Sequence, residues 1–329
     1  MSSLIGVVGA GRMGRGIALS YSFAGVPVVL VDLKQRSDQQ RQETINQIRE
    51  ELANDLNFLA TVGLVEKSKI DEIVSLTSFS HRESGENPLE HCDIVYEGVP
   101  EVMEAKTDAF SYVSKMASKT AIVASTTSTF LVTDLAKLIS EPKRFLNAHW
   151  LNPAHLMPLV EMSKGDQTSQ EAIDILQASL ESIGKVTVLC SASPGYIVPR
   201  IQAIAMNEAA RLVEEGVASA EDIDKAVNVG FGLRFAVLGI LEFIDWGGGD
   251  ILHYASKSLC ETVGERYTAP EIIGKNMREN KNGIRDGEGF FSYENIDPTA
   301  YRQKRMTDFV KLLKHRELLP KYNQSITDQ

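Results

Sequence analysis

The residue types that could do chemistry lie between residues 128 and 161. His149 and Glu161 flank a turn that contains Asn152 and Pro153. Two short adjoining strands could bring the imidazole and the carboxylate together, and a carboxylate bound to one ring nitrogen fixes the tautomer of the imidazole. The other nitrogen can then act as a general base. Such a base suits the oxidation of a secondary alcohol, because the hydroxyl proton must leave as the hydride departs.

Hydroxyl and amide side chains near this pair could bind the reacting oxygen. Ser128 lies in the run STTST over residues 125–129, and Asn152 follows His149. Both side chains can donate a hydrogen bond to an alcohol oxygen or accept one from it. Runs of Ser and Thr also cap helices, and either Thr129 or Thr133 fits that role. For Ser128, capping and chemistry stay equally open, and a lone His is more often structural, so spacing alone does not assign His149.

A glycine-rich turn near the N-terminus has the pattern of a dinucleotide site. Residues 4–8 are apolar and predict a buried strand; the motif GAGRMG follows at residues 9–14 and opens a helical pattern. The first glycine of such a motif permits a tight turn, the second lets the backbone approach a pyrophosphate, and the third lets the helix pack on the strand. These glycines are Gly9, Gly11 and Gly14. Arg12 and Met13 lie between them, where a helix N-terminus offers free N–H groups to phosphates.

The next apolar run ends in Asp32, which suggests the type of dinucleotide. A carboxylate at this position can accept both ribose hydroxyls and would repel a 2′-phosphate. The sequence therefore predicts NAD rather than NADP, although the cations Arg12 and Arg15 weaken that choice. A buried turn without a ligand is the alternative, and the complete strand–turn–helix context argues against it.

The elements that must position these residues alternate between strands and helices. Apolar runs predict further strands at residues 93–97, 121–124, 145–149, 158–162 and 186–190. Ligands in open α/β sheets bind beyond the carboxyl ends of strands, so the loops after the first two of these strands should face the crevice of the glycine turn. Residues 37–59 predict a long helix that continues as a hairpin through residues 66–73. This excursion is either a solvated helix pair or an arm that contacts substrate.

Helical periodicity replaces the alternation after residue 190. We therefore expect an α/β architecture in which a Rossmann-type NAD-binding domain, residues 1–190, precedes an all-α domain for substrate binding and dimerisation, residues 191–329. Residues 197–215 predict a long amphipathic helix. Residues 235–246 are apolar nearly all round and predict one helix, placed either in the core or at a subunit contact.

Amino-acid composition limits the kinds of binding partner and the cellular compartment that we expect for this chain. The chain has 329 residues and a formal net charge of −10, which argues against nucleic acid or an anionic membrane as the main partner. Acidic residues interrupt the longest apolar stretch, and the first strand begins too early to leave room for a signal peptide. Three cysteines far apart in sequence predict reduced thiols in a cytoplasmic protein. No cluster has metal-ligand spacing, so we expect no metal site.

Several motifs in one order resemble a known family. The segments GAGRMGRGIA, VYEGVPE with Lys106 after it, ASTTS, AHWLNPAHLMPLVE, PGYIVPR and GEGFFSY are similar to the L-3-hydroxyacyl-CoA dehydrogenase family, from about residue 4 to 295. The wider group includes carnitine and gulonate dehydrogenases. The resemblance implies a Rossmann domain followed by a helical domain that forms a homodimer. It also implies oxidation of an L-3-hydroxyacyl group with NAD.

The resemblance assigns roles to residues of this chain. It makes His149 the base and Glu161 its partner, while Ser128 binds the reacting oxygen and Asn152 lies beside it. Further positions match cofactor contacts of the family; these are Val99, Pro100, Glu101, Lys106 and Ser128.

Departures from the family pattern bear on the substrate. Pro199 stands where the family has an Asn that helps to hold the substrate or the serine, and it offers no N–H. Trp150 replaces a smaller aromatic residue beside the base. The segment IREELANDL offers three acids where fatty-acyl enzymes carry lysines for the CoA phosphates; these are Glu50, Glu51 and Asp55. An acidic segment is a poor site for a polyanion.

Three functions remain open at this point. The first is oxidation of a 3-hydroxyacyl-CoA such as 3-hydroxybutyryl-CoA, which is the family default. The second is oxidation of a free 3-hydroxy acid or another hydroxy-carboxylate, similar to carnitine or gulonate. The third is a non-catalytic NAD-binding structural protein, since dehydrogenases of this kind serve as crystallins. The complete set of base, partner and oxygen-binding residues argues against the third.

Overall fold

The structure is a computed structural model that describes residues 3–321. The chain divides into two compact units, residues 1–205 and residues 206–329. The first unit contains an eight-stranded sheet, and the second is helical. The division into functional domains after residue 190 stays a prediction.

The sheet of the first unit has the topology of a dinucleotide-binding fold. Its strands are β1 (Ile5–Val8), β2 (Val28–Asp32), β3 (Thr77–His81), β4 (Ile94–Glu97), β5 (Ile122–Ser125), β6 (Phe145–Trp150), β7 (Leu159–Lys164) and β8 (Val186–Ser191). They lie in the order β3-β2-β1-β4-β5-β6-β7-β8, and all neighbours are parallel except β6 and β7. The chain winds outward from β1 in both directions, which opens a crevice at the carboxyl ends of β1 and β4. The predicted Rossmann-type architecture is confirmed.

Helices cover both faces of this sheet. They are α1 (Arg12–Phe23), α2 (Asp38–Thr61), α3 (Ile70–Ser75), α4 (Met103–Met116), α5 (Val132–Leu135) and α6 (Gln170–Ser182). Successive strand residues point to opposite faces of the sheet and contribute to two apolar clusters. One cluster contains Leu30, Leu52 and Trp150, and the other contains Phe110 and Phe145. Strand β3 was not predicted, because its sequence TSFSH lacks an apolar run.

The chain beyond β8 is helical, as predicted. The helices are α7 (Val198–Glu214), α8 (Ala220–Ala226), α9 (Leu233–Phe235), α10 (Ile240–Gly247), α11 (Gly249–Thr262), α12 (Glu271–Arg278) and α13 (Pro298–His315). A π-helical segment, Val227–Gly232, joins α8 to α9. The predicted helix over residues 197–215 corresponds to α7.

The single helix predicted over residues 235–246 is wrong. The Glu242 carboxylate accepts a hydrogen bond from the N–H of Gly239 at 3.2 Å, which starts α10 as a separate helix. Asp245 is buried, and its two oxygens accept from the N–H groups of Phe290 and Phe291 at 2.9 Å each. The segment is therefore held by polar groups instead of being apolar all round.

The same segment belongs to an apolar pair of helices in the described part of the chain. In the part of the chain that the structure describes, residues 3–321, no single helix is long and apolar enough to cross a membrane. Ala220–Phe235 and Ile240–Gly247 reach that length and composition as a pair, with an 82° bend between them.

Two residues on α2 test which face of the helix is buried. Leu56 is completely buried in the first apolar cluster, whereas Phe58 is 55% exposed. We expect Leu56→Ala to lower the free energy of unfolding by about 2–5 kcal/mol, because it leaves a cavity, and Phe58→Ala to change it by about 0.5 kcal/mol or less. Urea denaturation followed by circular dichroism measures both values. Equal losses in the two variants would contradict the packing of α2.

Candidate active site

Strands β6 and β7 bring the candidate base and its partner together. The antiparallel register places His149 directly opposite Glu161, where cross-strand side chains on one face meet. His149 Nδ1 lies 3.0 Å from Glu161 Oε2, and both side chains are buried. Because an ionised carboxylate can only accept, the hydrogen resides on Nδ1. The lone pair of Nε2 is therefore free to take a proton.

The backbone fixes the second carboxylate oxygen of Glu161. This oxygen, Oε1, accepts from the N–H of Ile197 at 3.0 Å and from the N–H of Val198 at 2.9 Å. Val198 is the first residue of α7, so the carboxylate lies at a helix N-terminus, where the free N–H groups and the helix dipole favour negative charge. These bonds hold the carboxylate beside His149.

Ser128 lies in the loop after β5, and Glu101 holds the backbone of that loop. Glu101 Oε1 accepts from the N–H of Ser128 at 3.0 Å, from the N–H of Thr129 at 2.9 Å and from the Thr127 hydroxyl. Burial alone would raise the pKa of Glu101, but the Thr127 hydroxyl and the Lys106 ammonium outweigh it and lower that pKa to about 2. Ser128 itself is exposed, so its hydroxyl is accessible to a ligand.

The capping alternative for the Ser and Thr run does not match the start of α5. The N-cap residue of α5 is Leu131, which has no side-chain cap. The Thr127 hydroxyl instead accepts from the N–H groups of Thr129 and Phe130, at 3.3 and 3.0 Å. Thr127 therefore stabilises the turn, and Ser128 does not act as the N-cap of α5.

Asn152 lies in the turn between β6 and β7, which side chains of other elements hold in place. The Lys185 ammonium donates to the carbonyl oxygens of Ala154 at 2.6 Å and Met157 at 2.9 Å. The Ser20 hydroxyl on α1 donates to the same Ala154 oxygen at 3.2 Å. Burial lowers the pKa of Lys185, and the two carbonyl oxygens replace the water that its ammonium has lost. The turn that carries Asn152 is thus anchored from two sides.

A cleft of about 460 Å³ opens at the carboxyl ends of β1, β2 and β4, a size typical of small-molecule sites. Its lining includes six of the predicted cofactor contacts, namely Gly9, Gly11, Arg12, Asp32, Val99 and Pro100. The other five predicted cofactor contacts lie within the described residues but do not line the cleft; these are Met13, Gly14, Glu101, Lys106 and Ser128.

The motif glycines meet surroundings that fit a bound dinucleotide. A Cβ atom on Gly14 would overlap the carbonyl oxygen of Gly9, and one on Gly9 would lie 2.7 Å from the carbonyl group of Gly98. Gly9 also has a φ of 114°, which other residues avoid. At Gly11, by contrast, no described atom other than those of Gly11 and its two chain neighbours lies within 4 Å of an added Cβ. The fold requires Gly9 and Gly14, whereas the open space at Gly11 fits a pyrophosphate.

Asp32 is already oriented by its neighbours at the edge of the cleft. Its Oδ2 accepts from Arg36 Nε at 2.6 Å, and its Oδ1 accepts from the N–H of Lys34 at 3.1 Å. Arg36 also lines the cleft and was not predicted, although it follows Asp32 by only four residues. Arg15 forms an ion pair with Glu51 on α2, so it does not weaken the preference for NAD.

Lys106 is completely buried between two carboxylates. Its Nζ lies 3.1 Å from Glu97 Oε2 and 3.1 Å from Glu101 Oε2. The Ser125 hydroxyl donates to the same Glu97 oxygen at 2.6 Å. The family resemblance places Lys106 at a position that touches the cofactor. In this structure Lys106 does not line the cleft; its ammonium contacts Glu101, which holds the loop of Ser128.

Two departures from the family pattern take on a different meaning in the structure. Trp150 and His149 are neighbours on β6 and point to opposite faces of the sheet. Trp150 is buried in the first apolar cluster, with its ring 5.8 Å from that of Tyr96, so it shapes the core and not the space beside His149. Pro199 is the second residue of α7, where a missing N–H breaks no helical hydrogen bond.

Sequence reasoning missed two further residues that support the candidate site. Lys185 anchors the turn of Asn152, and the Tyr196 ring stacks on the His149 ring with the centroids 4.8 Å apart. Tyr196 lies inside the motif PGYIVPR, which was the available signal; Lys185 has no such signal, because its partners are backbone carbonyl groups.

The three cysteines are not paired in disulfides, and the potential metal ligands of the described residues do not form a cluster. Within residues 3–321, no three His, Cys, Asp or Glu side chains are placed to hold a metal ion. Cys92 is buried, Cys190 and Cys260 are partly buried, and all three are free thiols. The expectations of no metal site and of a reducing compartment stay predictions.

Protein-family comparison matches both parts of the chain. Residues 4–193 match the model described as 3-hydroxyacyl-CoA dehydrogenase, NAD binding domain. Residues 195–293 match the model described as 3-hydroxyacyl-CoA dehydrogenase, C-terminal domain. The first match contains the glycine turn, Asp32 and the four candidate catalytic residues.

Individual relatives cover nearly the whole chain. Hydroxyacyl-coenzyme A dehydrogenase, mitochondrial, from Sus scrofa is 33% identical over 293 residues, which are 88% of this chain and 90% of the relative. The 5-formyl-3-hydroxy-2-methylpyridine 4-carboxylate 5-dehydrogenase of Mesorhizobium japonicum is 29% identical over 318 residues, 95% of this chain and 99% of the relative. The crystal structure of a 3-hydroxyacyl-CoA dehydrogenase from Archaeoglobus fulgidus superposes with a TM-score of 0.76 at 30% identity, covering 96% of this chain and all of that one.

The glycine turn provides a test that separates cofactor binding from folding. We expect Gly11→Val to weaken NADH binding at least tenfold, by about 1.4 kcal/mol or more, because the side chain fills the space that a pyrophosphate needs. Its melting temperature should stay within about 2 °C of wild type, since a Cβ at this position has open space around it beyond the adjoining residues. Fluorescence titration with NADH and thermal unfolding measure the two quantities.

Gly14→Ala is the matched control for this test. Its methyl group would overlap the Gly9 carbonyl oxygen, so we expect a lower melting temperature without any ligand. Wild-type NADH affinity in Gly11→Val would contradict the placement of the cofactor.

Proposed function

Because this chain belongs to the 3-hydroxyacyl-CoA dehydrogenase family, we propose that it oxidises the 3-hydroxyl group of an L-3-hydroxyacyl compound with His149 as general base. The chain is an NAD-dependent dehydrogenase, and bound NAD supplies the acceptor for the hydride. The main support for the proposal is the hydrogen bond between His149 and Glu161. The second carboxylate oxygen of Glu161 is fixed by the N–H groups of Ile197 and Val198. This arrangement presents a buried imidazole with a free Nε2.

The cleft at the carboxyl ends of β1, β2 and β4 provides the groups that hold the cofactor. The turn from Gly9 to Gly14 offers backbone N–H groups and the start of α1 to the pyrophosphate. The Asp32 carboxylate, which Arg36 orients, would accept hydrogen bonds from the ribose hydroxyls. Val99 and Pro100 form the opposite wall of the cleft.

The proton path uses residues of β6, β7 and the two anchored loops. His149 removes the hydroxyl proton at Nε2, and Glu161 stabilises the resulting imidazolium across the Nδ1–H bond. The Ser128 hydroxyl and the Asn152 amide bind the substrate oxygen as it becomes a carbonyl. In the reverse direction, His149 returns the proton to that oxygen. General base catalysis of this kind contributes roughly 10²- to 10⁴-fold to a rate.

The leading substrate is a 3-hydroxyacyl-CoA, with 3-hydroxybutyryl-CoA as the representative. Family membership supports it, as do the activities for which the Sus scrofa and Archaeoglobus fulgidus relatives are named. Burial of Trp150 in the core also removes one reason for expecting a smaller substrate.

A free hydroxy-carboxylate is the second candidate, and the charge of α2 favours it. This helix contains five acids against Arg41 and Arg49; the acids are Asp38, Glu43, Glu50, Glu51 and Asp55. A net negative helix repels the phosphates of CoA and leaves a small carboxylate, bound farther away, less affected. The Mesorhizobium japonicum relative, named for a pyridine carboxylate, covers more of this chain than the Sus scrofa enzyme.

A homodimer in the cytoplasm is part of the proposal. None of the described residues of α7 is buried, and the apolar side chains of Ile204 and Met206 are 74% and 65% exposed. A second copy of the chain would cover such an apolar surface. Segment 235–246 is a weaker candidate for the interface than the sequence indicated, because Glu242 and Asp245 already bind other groups of the second unit.

A substrate panel tests the proposed reaction. NADH formation is followed by absorbance with 3-hydroxybutyryl-CoA, longer 3-hydroxyacyl-CoA esters, free 3-hydroxybutyrate, carnitine and gulonate. We expect turnover of L-3-hydroxy compounds, with the highest kcat/KM for a CoA ester. A higher value for a free acid would assign the second candidate. NADH binding without turnover of any compound would contradict the dehydrogenase proposal and favour a structural NAD-binding protein.

Removal of the base tests its role. We expect His149→Ala to lower kcat at least about 10²-fold, the low end for loss of a general base, with NADH affinity unchanged. His91→Ala is the matched control and should retain wild-type kcat, because His91 is exposed and lies before β4. Activity near wild type in His149→Ala would remove this residue from the proposed role.

A further inference from the structure

Tyr196 joins two parts of the candidate active site. Its ring lies nearly parallel to the His149 imidazole, with the centroids 4.8 Å apart and 11° between the planes. Its hydroxyl donates to the carbonyl oxygen of Thr127 at 2.8 Å and accepts from Asn147 Nδ2 at 3.0 Å. One side chain therefore contacts the base with its face and the loop before Ser128 with its tip.

The backbone of Tyr196 is held in an unfavourable conformation by these contacts. Its φ of 48° lies in the left-handed region, which bulky residues avoid. Such a conformation persists only where the surroundings fix it, and Tyr196 is 5% exposed. Burial raises the pKa of Tyr196, so its hydroxyl keeps the proton that it donates to Thr127.

Strand β6 ties the loop to the base at a second point. Asn147 and His149 are two residues apart and share one face of the strand. Asn147 Nδ2 donates to the carbonyl oxygen of Phe130 at 3.1 Å as well as to the Tyr196 hydroxyl. Asn147 therefore holds the loop directly at Phe130, and it holds the loop at Thr127 through the Tyr196 hydroxyl. Ser128 lies between these two points.

We propose that Tyr196 is a positioning residue that sets the Ser128 hydroxyl relative to the His149 imidazole. The inference rests on the proposed function, since it needs Ser128 and His149 to act on one substrate oxygen. The ring blocks rotation of the imidazole out of its bond with Glu161. The hydroxyl fixes the carbonyl group that directly precedes Ser128. Placement errors of about 1 Å at such a site cost up to 10²-fold in rate.

The two contacts can be removed separately. Tyr196→Phe keeps the stacked ring and loses the hydroxyl, whereas Tyr196→Leu loses both and keeps an apolar side chain. Tyr112→Phe is the matched control: Tyr112 is buried in α4, and its hydroxyl has no hydrogen-bond partner among the described residues. Thermal unfolding of each variant separates folding from catalysis.

A double-mutant cycle with Ser128→Ala tests the hydroxyl. With the best substrate of the panel, we expect Tyr196→Phe to lower kcat on the order of tenfold, with NADH affinity unchanged and Tyr112→Phe at wild-type kcat. In the Ser128→Ala background the same change should lower kcat at most about twofold, because no serine hydroxyl is left to position. A purely structural role would give equal losses in both backgrounds, and that result, or no loss in either, would overturn the inference.

The ring is tested in the same two backgrounds. We expect Tyr196→Leu to lower kcat further than Tyr196→Phe does, and to keep this extra loss in Ser128→Ala, because the ring acts on His149. Equal kcat for the Leu and Phe variants would overturn the role of the ring. Should Tyr196→Leu not fold, the comparison of Tyr196→Phe with Tyr112→Phe still decides the role of the hydroxyl.

Failure of the inference and failure of the proposed function give different results. A wild-type enzyme without turnover, or full activity in Ser128→Ala, defeats the proposed function and the inference with it. Turnover by wild type and a loss in Ser128→Ala, together with equal effects of Tyr196→Phe in both backgrounds, defeats the inference alone.

Discussion

The contact between His149 and Glu161 sets the direction of the imidazole that the proposed reaction needs. It exists because β7 runs antiparallel to β6, which sets the two residues opposite each other on one face of the sheet. A base at the end of β6 thereby meets a carboxylate without any help from a flexible loop. The start of α7 completes the arrangement, since the N–H groups of its first residue, Val198, and of the preceding Ile197 hold the other carboxylate oxygen. The sheet and the helix together fix the direction of one imidazole.

Charged side chains also hold the loops of the site in place. Glu101, paired with buried Lys106, accepts the backbone N–H groups around Ser128. Lys185 donates to the backbone of the turn that carries Asn152. Both candidate oxygen-binding residues therefore lie on loops, yet side chains from neighbouring elements hold those loops. A reaction that moves a proton and a hydride together needs this precision, because each reacting group must be within hydrogen-bond reach at the same time.

Local patterns could be predicted from the sequence, and long-range contacts could not. The glycine turn with Asp32 is recognisable because its spacing is short and every glycine has a steric reason. The meeting of His149 with Glu161 was accessible as a pairing of adjacent strands. The burial of Asp245 was not, because the N–H groups that bind its carboxylate come from residues 290 and 291. The same holds for Lys185, whose partners are backbone carbonyl groups, and for the polar edge strand β3, which has no apolar run.

The kcat of Glu161→Gln tests most directly whether the Glu161 carboxylate orients the His149 imidazole. Glutamine keeps one oxygen for the N–H groups of Ile197 and Val198, but it presents an amide N–H to His149. The imidazole must then give up its bond or place its hydrogen on Nε2, where it can no longer accept a proton. We expect kcat to fall roughly 10²- to 10⁴-fold, with unchanged NADH affinity and melting temperature. A kcat within about twofold of wild type would contradict this role of Glu161, because at least ~10²-fold is expected.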